Sequence, residues 1–286
     1  MNNCLVVLNY NDAETTLRFV QMAEKTDSVC KIIVVDNCSS DDSFERLSRI
    51  SSKKVIVIKT DENRGYACGN NYGCRYAIEN FNPDVIFISN PDVEFDGEVI
   101  ESIQKEIMLD DSVGVIAPIV NQGYNVWNLP NFMGVIESVF LIWHNLHKRK
   151  IKKQLLASEH KLEYVGAVEG SFWCVKKEVY SAAGGMDERT FLYYEENLFS
   201  RRLKALGYKV AVMPSLRYNH FHSVSIRKRF GGKTKAFKYF RTGMMLYIDD
   251  YLKCNRLQKA LFNVCFALGY VERFIYDAVR FVFSGK

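Results

Sequence analysis

Three groups of polar residues stand in order along this chain of 286 residues, each after a segment that reads as ordered structure. Asn90-Pro91-Asp92 follows the apolar run 84–89. Tyr193-Tyr194-Glu195-Glu196 follows Gly184-Gly185-Met186-Asp187-Glu188. His220 and His222 follow a further strand-like run. A carboxylate at the end of a buried strand can hold a hard divalent cation, which takes oxygen ligands and draws only one or two of them from carboxylates. Such a cation offsets the charge that develops on a departing diphosphate. A second carboxylate can remove a proton from an attacking hydroxyl, a contribution of about 10²–10⁴ in rate. A later imidazole can complete the cation's ligand set. This order of groups points to the transfer of a sugar from a nucleotide diphosphate to a hydroxyl.

Each group also has a plainer reading. Asn-Pro-Asp spells a turn. Glu195-Glu196 suits the positive end of a helix dipole. The aromatic neighbours Phe191, Tyr193 and Tyr194 would partly desolvate Glu196 and raise its pKa. His220 and His222 alternate along an extended segment and point to opposite sides, so at most one of them faces a given cation.

The elements that must position these groups follow from periodicity. Short β-rich runs at residues 5–8, 32–35, 55–58, 85–88 and 113–117 alternate with helix-like segments at 15–25, 42–50, 67–79 and 97–109. Continuous apolar strands separated by helices predict an α/β fold, with a mostly parallel sheet covered on both faces. Ligands of such sheets lie beyond the carboxyl ends of the strands. Polar loops stand at those ends: 9–12, 36–42, 60–65 and 90–92. Any one of them also reads as turn or helix-cap chemistry, with Ser40, Asp41, Asp42 and Asp96 as caps.

The segment 63–73 places Gly65, Gly69, Gly73 and, beyond it, Ala77 four residues apart, on one face of a helix. A glycine inside a helix costs about 0.5–1 kcal/mol relative to alanine, so the stripe needs a packing reason, such as close approach to a sheet or a nucleotide. Its spacing is not the G-x-G-x-x-G of a dinucleotide site.

Farther on, 132–146 reads as an apolar helix followed by a basic run at 147–153. Gly170–Val175 opens a second pattern, with helices near 177–183 and 195–206 and a strand near 209–212. From residue 226 the chain turns basic and aromatic, with helices near 235–252 and 257–283. Three segments are therefore expected: 1–117 as the nucleotide-binding half and 118–225 as the acceptor-side half of one catalytic domain, then 226–286 as a helical C-terminal extension. The basic residues of that extension suit anionic headgroups, and its aromatics suit a membrane interface. Packing on the catalytic domain or on a second copy of the chain is the alternative.

Composition sets the outer limits. A hydrophobic content of 48% supports one large core, and a net charge of +5 is too mild to imply nucleic acid. The 8 cysteines form no C-x-x-C pair and read as reduced core thiols of a cytosolic protein. Residues 1–8 lack the basic region and long apolar core of a leader. No apolar run approaches the roughly 20 residues that span a bilayer. The expected location is cytoplasmic, on the inner side of any membrane the chain touches.

At the level of whole motifs the chain resembles the family 2 glycosyltransferases, especially their bacterial rhamnosyltransferase-like branch, which has the GT-A fold. The resemblance rests on Leu8-Asn9-Tyr10-Asn11, on Val34–Asp41, on Asn63–Asn71 and on Asn90-Pro91-Asp92. It continues with Gly184–Glu188, Tyr194-Glu195-Glu196 and Arg217-Tyr218-Asn219-His220. It implies an inverting transfer from a nucleotide-sugar donor, either dTDP-rhamnose or a UDP-hexose, with Mn²⁺ or Mg²⁺. The acceptor would be a glycan or lipid-linked glycan in surface polysaccharide synthesis. Carried over by position, Asn9, Asn11 and Asp36 meet the nucleoside, and Asn63, Gly65 and Asn70 lie near donor phosphates or ribose. Asn90 contacts sugar or ribose. Asp92 binds the cation with His220 as the preferred partner, and Glu196 takes the place of the catalytic base. Asn90 stands where many relatives have Asp, and Glu196 where Asp is commoner.

Two other functions compete. A sugar nucleotidyltransferase needs a glycine- and lysine-rich phosphate loop near its N-terminus, which Asn9-Tyr10-Asn11 does not resemble. A sugar- or nucleotide-binding module without turnover remains open.

Overall fold

The computed structural model describes residues 2–141, 154–221 and 233–283. Within them the chain runs β1 (Asn3–Asn9), α1 (Ala13–Glu24), β2 (Lys31–Asp36), α2 (Ser43–Ser48), β3 (Val55–Lys59), α3 (Tyr66–Phe81) and β4 (Val85–Ser89). It continues through β5 (Val93–Glu94), α4 (Gly97–Ile107), β6 (Val113–Val120), β7 (Val126–Trp127) and α5 (Phe132–Val139). After β8 (Glu163–Val165), β9 (Ala167–Val168) and β10 (Phe172–Lys176) come α6 (Lys177–Ala182), α7 (Glu195–Ala205) and β11 (Lys209–His220). The tail is α8 (Lys233–Leu246), a π turn (Tyr247–Tyr251) and α9 (Arg256–Phe283).

The apolar runs form one sheet, in the order β3-β2-β1-β4-β10-β6-β11-β5. β1 to β4 are mutually parallel, and β11 runs parallel to β6. Both faces are covered, because alternate residues of one strand enter different layers. Leu5 and Val7 of β1 join the core under α1 and α4, while Cys4 and Val6 join the core under α3. Continuous rather than alternating hydrophobicity in these strands follows from that double burial.

The glycine stripe of α3 has a packing cause. A Cβ on Gly69 would stand 2.4 Å from a Leu8 methyl, and one on Gly73 would stand 2.6 Å from Val35 and from Val6. Both glycines let α3 lie directly on β1 and β2.

The structure departs from the sequence reading in its second half. β10 enters between β4 and β6 and runs antiparallel to both, so the expected nucleotide and acceptor halves share one sheet. β11 extends eight residues beyond the expected 209–212, with a shift of register between Met213 and Arg217. Proline 214 lies inside that shift, where it need not donate to the ladder. α5 ends at Val139. The basic run 147–153, residues 227–229 and His222 lie outside the described residues.

The tail packs onto the sheet domain. Phe237, Met244, Tyr247, Ile248, Phe262 and Phe266 form a third core with Val135 and Val139 of α5 and with Tyr194 and Leu198 beside and within α7. Arg201 donates to the Tyr247 hydroxyl at 2.6 Å, and that hydroxyl donates to the Pro130 carbonyl at 2.8 Å.

Candidate active site

The Asn-Pro-Asp segment is held where the buried run of β4 stops. The Asn90 amide donates to the Ser171 carbonyl at 2.8 Å, continuing the β4–β10 ladder by one step. Proline 91 then ends the strand. Immediately after Asp92, β5 pairs with the end of β11, with Val93 opposite His220. The Phe221 amide donates to the Asp92 carbonyl at 2.9 Å. Two segments more than a hundred residues apart in sequence are thus registered by backbone pairing, and their side chains meet: His220 Nε2 lies 3.1 Å from Asp92 Oδ1.

Glu169, which the sequence reading did not select, reaches the other side of the imidazole. Its Oε2 lies 3.6 Å from His220 Nδ1, within ion-pair reach. The Ser171 hydroxyl donates to Glu169 Oε2 at 3.1 Å and lies 2.7 Å from the Tyr218 hydroxyl. Burial pushes the His220 imidazole down, but the hydrogen bonds and negative charges of Asp92 and Glu169 outweigh it and raise the pKa to about 9. The imidazolium lies between two carboxylates.

Glu196 approaches the same place through the next residue of β10's entry. The Gly170 amide donates to Glu196 Oε1 at 3.0 Å. A Cβ at 170 would stand 3.1 Å from that oxygen and 3.0 Å from the Tyr66 hydroxyl, so glycine permits the approach. Tyr66, at the start of α3, donates to the Gly170 carbonyl. One dipeptide, Glu169-Gly170, therefore touches both His220 and Glu196.

The two adjacent glutamates differ in their surroundings. Glu195 is buried, and its Oε2 has no hydrogen-bond partner among the described residues. Burial and the neighbouring Glu196 charge push its pKa well up. Glu196 is half-buried. Burial lifts its pKa from 4.5 to about 7, the charge of Glu169 adds to the rise, and backbone N–H groups including that of Gly170 oppose it. A small cavity lined by Tyr66, Gly170, Trp173, Met186, Glu195 and Glu196 lies against both.

The turn that launches α7 is strained. Tyr193 and Tyr194 both take left-handed backbone angles, with φ of 71° and 77°, unfavourable for bulky residues. The tail holds them. Tyr193 stacks on Phe240 with centroids 4.2 Å apart, and Tyr194 meets Tyr247 edge-on. Gly243 lies close beneath, where a Cβ would stand 2.4 Å from Tyr194 Cβ and 3.0 Å from the Tyr193 carbonyl oxygen.

The residues expected at the nucleoside and phosphates lie at the carboxyl ends of β1 to β3. Asn9 and Asp36 are fully buried. Asn9 Nδ2 donates to Asp36 Oδ2 and Ser39 Oγ, Asn9 Oδ1 accepts from Thr16, and Asp36 Oδ1 accepts from the Ser39 amide. These bonds tie the loops after β1 and β2 together. Asn11 is exposed and pairs with Ser40. Asn63 Oδ1 accepts from Asn37 and from the Gly65 amide. A Cβ on Gly65 would stand 2.0 Å from the Phe191 carbonyl oxygen, so this glycine lets the loop after β3 meet the segment that leads into α7. Asn70 is buried and donates to the Tyr66 carbonyl within α3.

The chain is similar to known proteins along most of its length. A glycosyltransferase of low-salt glycan biosynthesis in Haloferax volcanii, hexosyltransferase Agl10, is 24% identical over 96% of this chain and 84% of its own. The dTDP-rhamnosyl transferase RfbF of Shigella flexneri is 25% identical over 75% of this chain and 67% of its own. Among solved structures, a Pyrobaculum calidifontis mannosyltransferase with GDP-Man and Mn²⁺ matches with a TM-score of 0.60 at 13% identity. That match covers 98% of this chain and 74% of the other. GalNAc-T7 with UDP, GalNAc and Mn²⁺ has the same TM-score over 79% of this chain and 44% of its own. These likenesses show the GT-A fold. Residues 4–167 match the family described as glycosyl transferase family 2, and with that match over more than half its length the chain belongs to this family.

Proposed function

We propose that the protein is an inverting glycosyltransferase. It moves a sugar from a nucleotide-diphosphate donor, dTDP-rhamnose or a UDP-hexose, to a hydroxyl of a glycan or lipid-linked glycan in surface polysaccharide synthesis. The observation that carries this reading is the Glu169-Gly170 bridge between the Asp92–His220 pair and Glu196. It links a candidate cation-binding pair to a raised-pKa carboxylate through two consecutive residues.

The pair fits a divalent cation. Asp92 supplies a hard oxygen and His220 an imidazole, with their atoms 3.1 Å apart. Among the described residues no three acidic, His or Cys side chains converge as a closed metal cage. An open pair suits Mn²⁺ or Mg²⁺, which takes substrate phosphates as further ligands. When bound, the cation supplies charge neutralisation for the departing diphosphate. Binding it requires the proton of the His220 imidazolium to leave, and Glu169 then orients the neutral ring through Nδ1.

Glu196 acts as the base. Its Oε1 is fixed by the Gly170 amide, and its raised pKa suits proton abstraction near neutral pH. Attack from Glu196's side on a sugar whose diphosphate departs on the Asp92 side inverts the anomeric centre. Asn90 lies on the donor side, with Asn11, Asn63 and Gly65 in the loops nearest the nucleotide. Asn9, Asp36 and Asn70 support those loops from within. Residues 1–225 form the catalytic domain and 226–286 an extension that braces the α7 turn. All eight cysteines are free, which supports a reducing, cytoplasmic setting.

The donors named for related proteins, dTDP-rhamnose for RfbF and GDP-Man for the mannosyltransferase, support a nucleotide sugar here. A thermal-shift panel of nucleotide sugars, with and without Mn²⁺, tests the reading. The cognate donor raises the unfolding temperature in proportion to RT ln(1 + [L]/Kd), and more with Mn²⁺. No shift with any nucleotide sugar would refute it.

A further inference from the structure

The outer face of α9 has no counterpart in the catalytic reading. Its inner face packs through Phe262, Phe266 and Arg273, all buried. Its outer face presents Leu257 at 82% exposure, then Leu261, Val264, Leu268, Val271, Ile275 and Val279, all exposed, with Phe274 at 62% beside them. Steps of three and four residues put this row on one side of the helix. An α-helix rises 1.5 Å per residue, so the row is about 30 Å long. Single exposed leucines are ordinary, but a continuous row of this length marks an interaction surface.

The charges in the groove on the α8 side of the row are of one sign. A groove beside it is lined by Lys238 and Arg241 of α8 and by Asn263, Ala267, Tyr270 and Val271 of α9. Val271 belongs to both groove and row. Lys238 lies 6.0 Å from the Tyr270 ring centroid, and Arg241 donates to Asn263 Oδ1 at 2.8 Å. Among the described ion pairs neither cation has an acidic partner. The acids of α9 face elsewhere: Glu272 accepts from the Leu141 amide, and Asp277 accepts from Thr234.

We infer that this face of α8 and α9 docks on an anionic membrane surface, the row sinking among acyl chains while Lys238 and Arg241 meet headgroup phosphates. Among the described residues no helix is long and apolar enough to cross a membrane, so α9 lies along the surface. A second copy is the weaker fit. A two-fold contact through this row would bring the cations of both copies to one interface with no acid on the face to receive them. Basic residues near such a surface each contribute measurably to binding, and the apolar row supplies the rest.

Flotation of the full chain with phosphatidylcholine vesicles, with and without about one third phosphatidylglycerol, tests this. Binding is expected to the anionic vesicles and to weaken as salt screens the headgroups. The double variant Lys238→Gln/Arg241→Gln is expected to lose roughly 30-fold in affinity. Leu268→Gln is expected to lose about tenfold. Both variants alter exposed side chains, so their unfolding temperatures match the parent's. A chain that stays off both vesicles, or binding that either variant leaves unchanged, would overturn the inference. A dimer in light scattering that Leu268→Gln dissociates, without vesicle binding, would assign the face to a second copy instead.

Discussion

The Gly170 amide donates to Glu196 Oε1 at 3.0 Å, and this contact fixes one oxygen of the proposed base at the point where β10 enters the sheet. The residue before it, Glu169, lies 3.6 Å from His220. The Asp92–His220 pair and Glu196 are therefore coupled through two consecutive residues, and the couplings can be measured.

Glu195 and Glu196 should behave oppositely when each is changed to glutamine. Glu196→Gln removes the base and is expected to lower kcat by about 10²–10⁴. Glu195 is buried with one oxygen unpartnered, and Glu195→Gln should keep kcat within a few-fold. Steady-state kinetics of the two variants, side by side, read this asymmetry.

Activity and stability should respond to pH in opposite senses. The base works when ionised, so kcat/KM rises with pH through the region of about 7 set by Glu196. Stability runs the other way. The folded-state pKa lies above the ordinary 4.5, so between these values the folded protein holds a proton that the unfolded chain has released. Folding stability then falls as pH rises through that window. Thermal unfolding should show Glu196→Gln more stable than the parent at about pH 8 and no more stable at about pH 4.

Glu169 should tune that pH profile. Its charge contributes to the raised pKa of Glu196. Glu169→Gln is expected to move the acid limb of kcat/KM to lower pH. Because Glu169 also holds His220, the same variant should weaken Mn²⁺-dependent nucleotide binding, by roughly 10–100-fold for a lost outer-shell partner. Calorimetry of nucleoside diphosphate binding with Mn²⁺ measures the second effect.

The tail should matter to turnover through the α7 turn. A Cβ on Gly243 would stand 2.4 Å from Tyr194 Cβ, and the strained Tyr193-Tyr194 pair leads directly into Glu195 and Glu196. Gly243→Ala is expected to lower kcat by about 10-fold or more, since small misplacements of a catalytic group are costly. Donor Kd is expected to change less than kcat, because Gly243 meets Tyr193 and Tyr194 directly and reaches the loop after β3 only through the Phe191–Gly65 contact. Equal loss of donor binding would count against this positioning role.

The sheet and its helices were legible because doubly buried strands such as 32–35 and 85–88 are continuous apolar runs and the helices between them carry a different period. The antiparallel course of β10 was not legible, since Phe172–Lys176 reads the same in either direction. Asp92 and His220 stood out as types of residue in sequence, but their meeting depends on the β5–β11 pairing, and β5 has only two residues. Glu169 was not legible as a partner of His220, because their meeting depends on where the segment before β10 enters the sheet beside β11. The types of Asn9 and Asp36 suit a ligand, but their burial and their hydrogen bond to each other at the ends of β1 and β2 were not legible from type alone.

A crystal of the protein grown with Mn²⁺ and a nucleoside diphosphate, measured at the manganese absorption edge, addresses the arrangement as a whole. The expected anomalous peak lies within bonding distance of Asp92 and His220, with the diphosphate on it and Glu196 facing the same cleft. Nucleotide bound with its manganese away from Asp92, or on a face that Glu196 does not reach, would contradict the account.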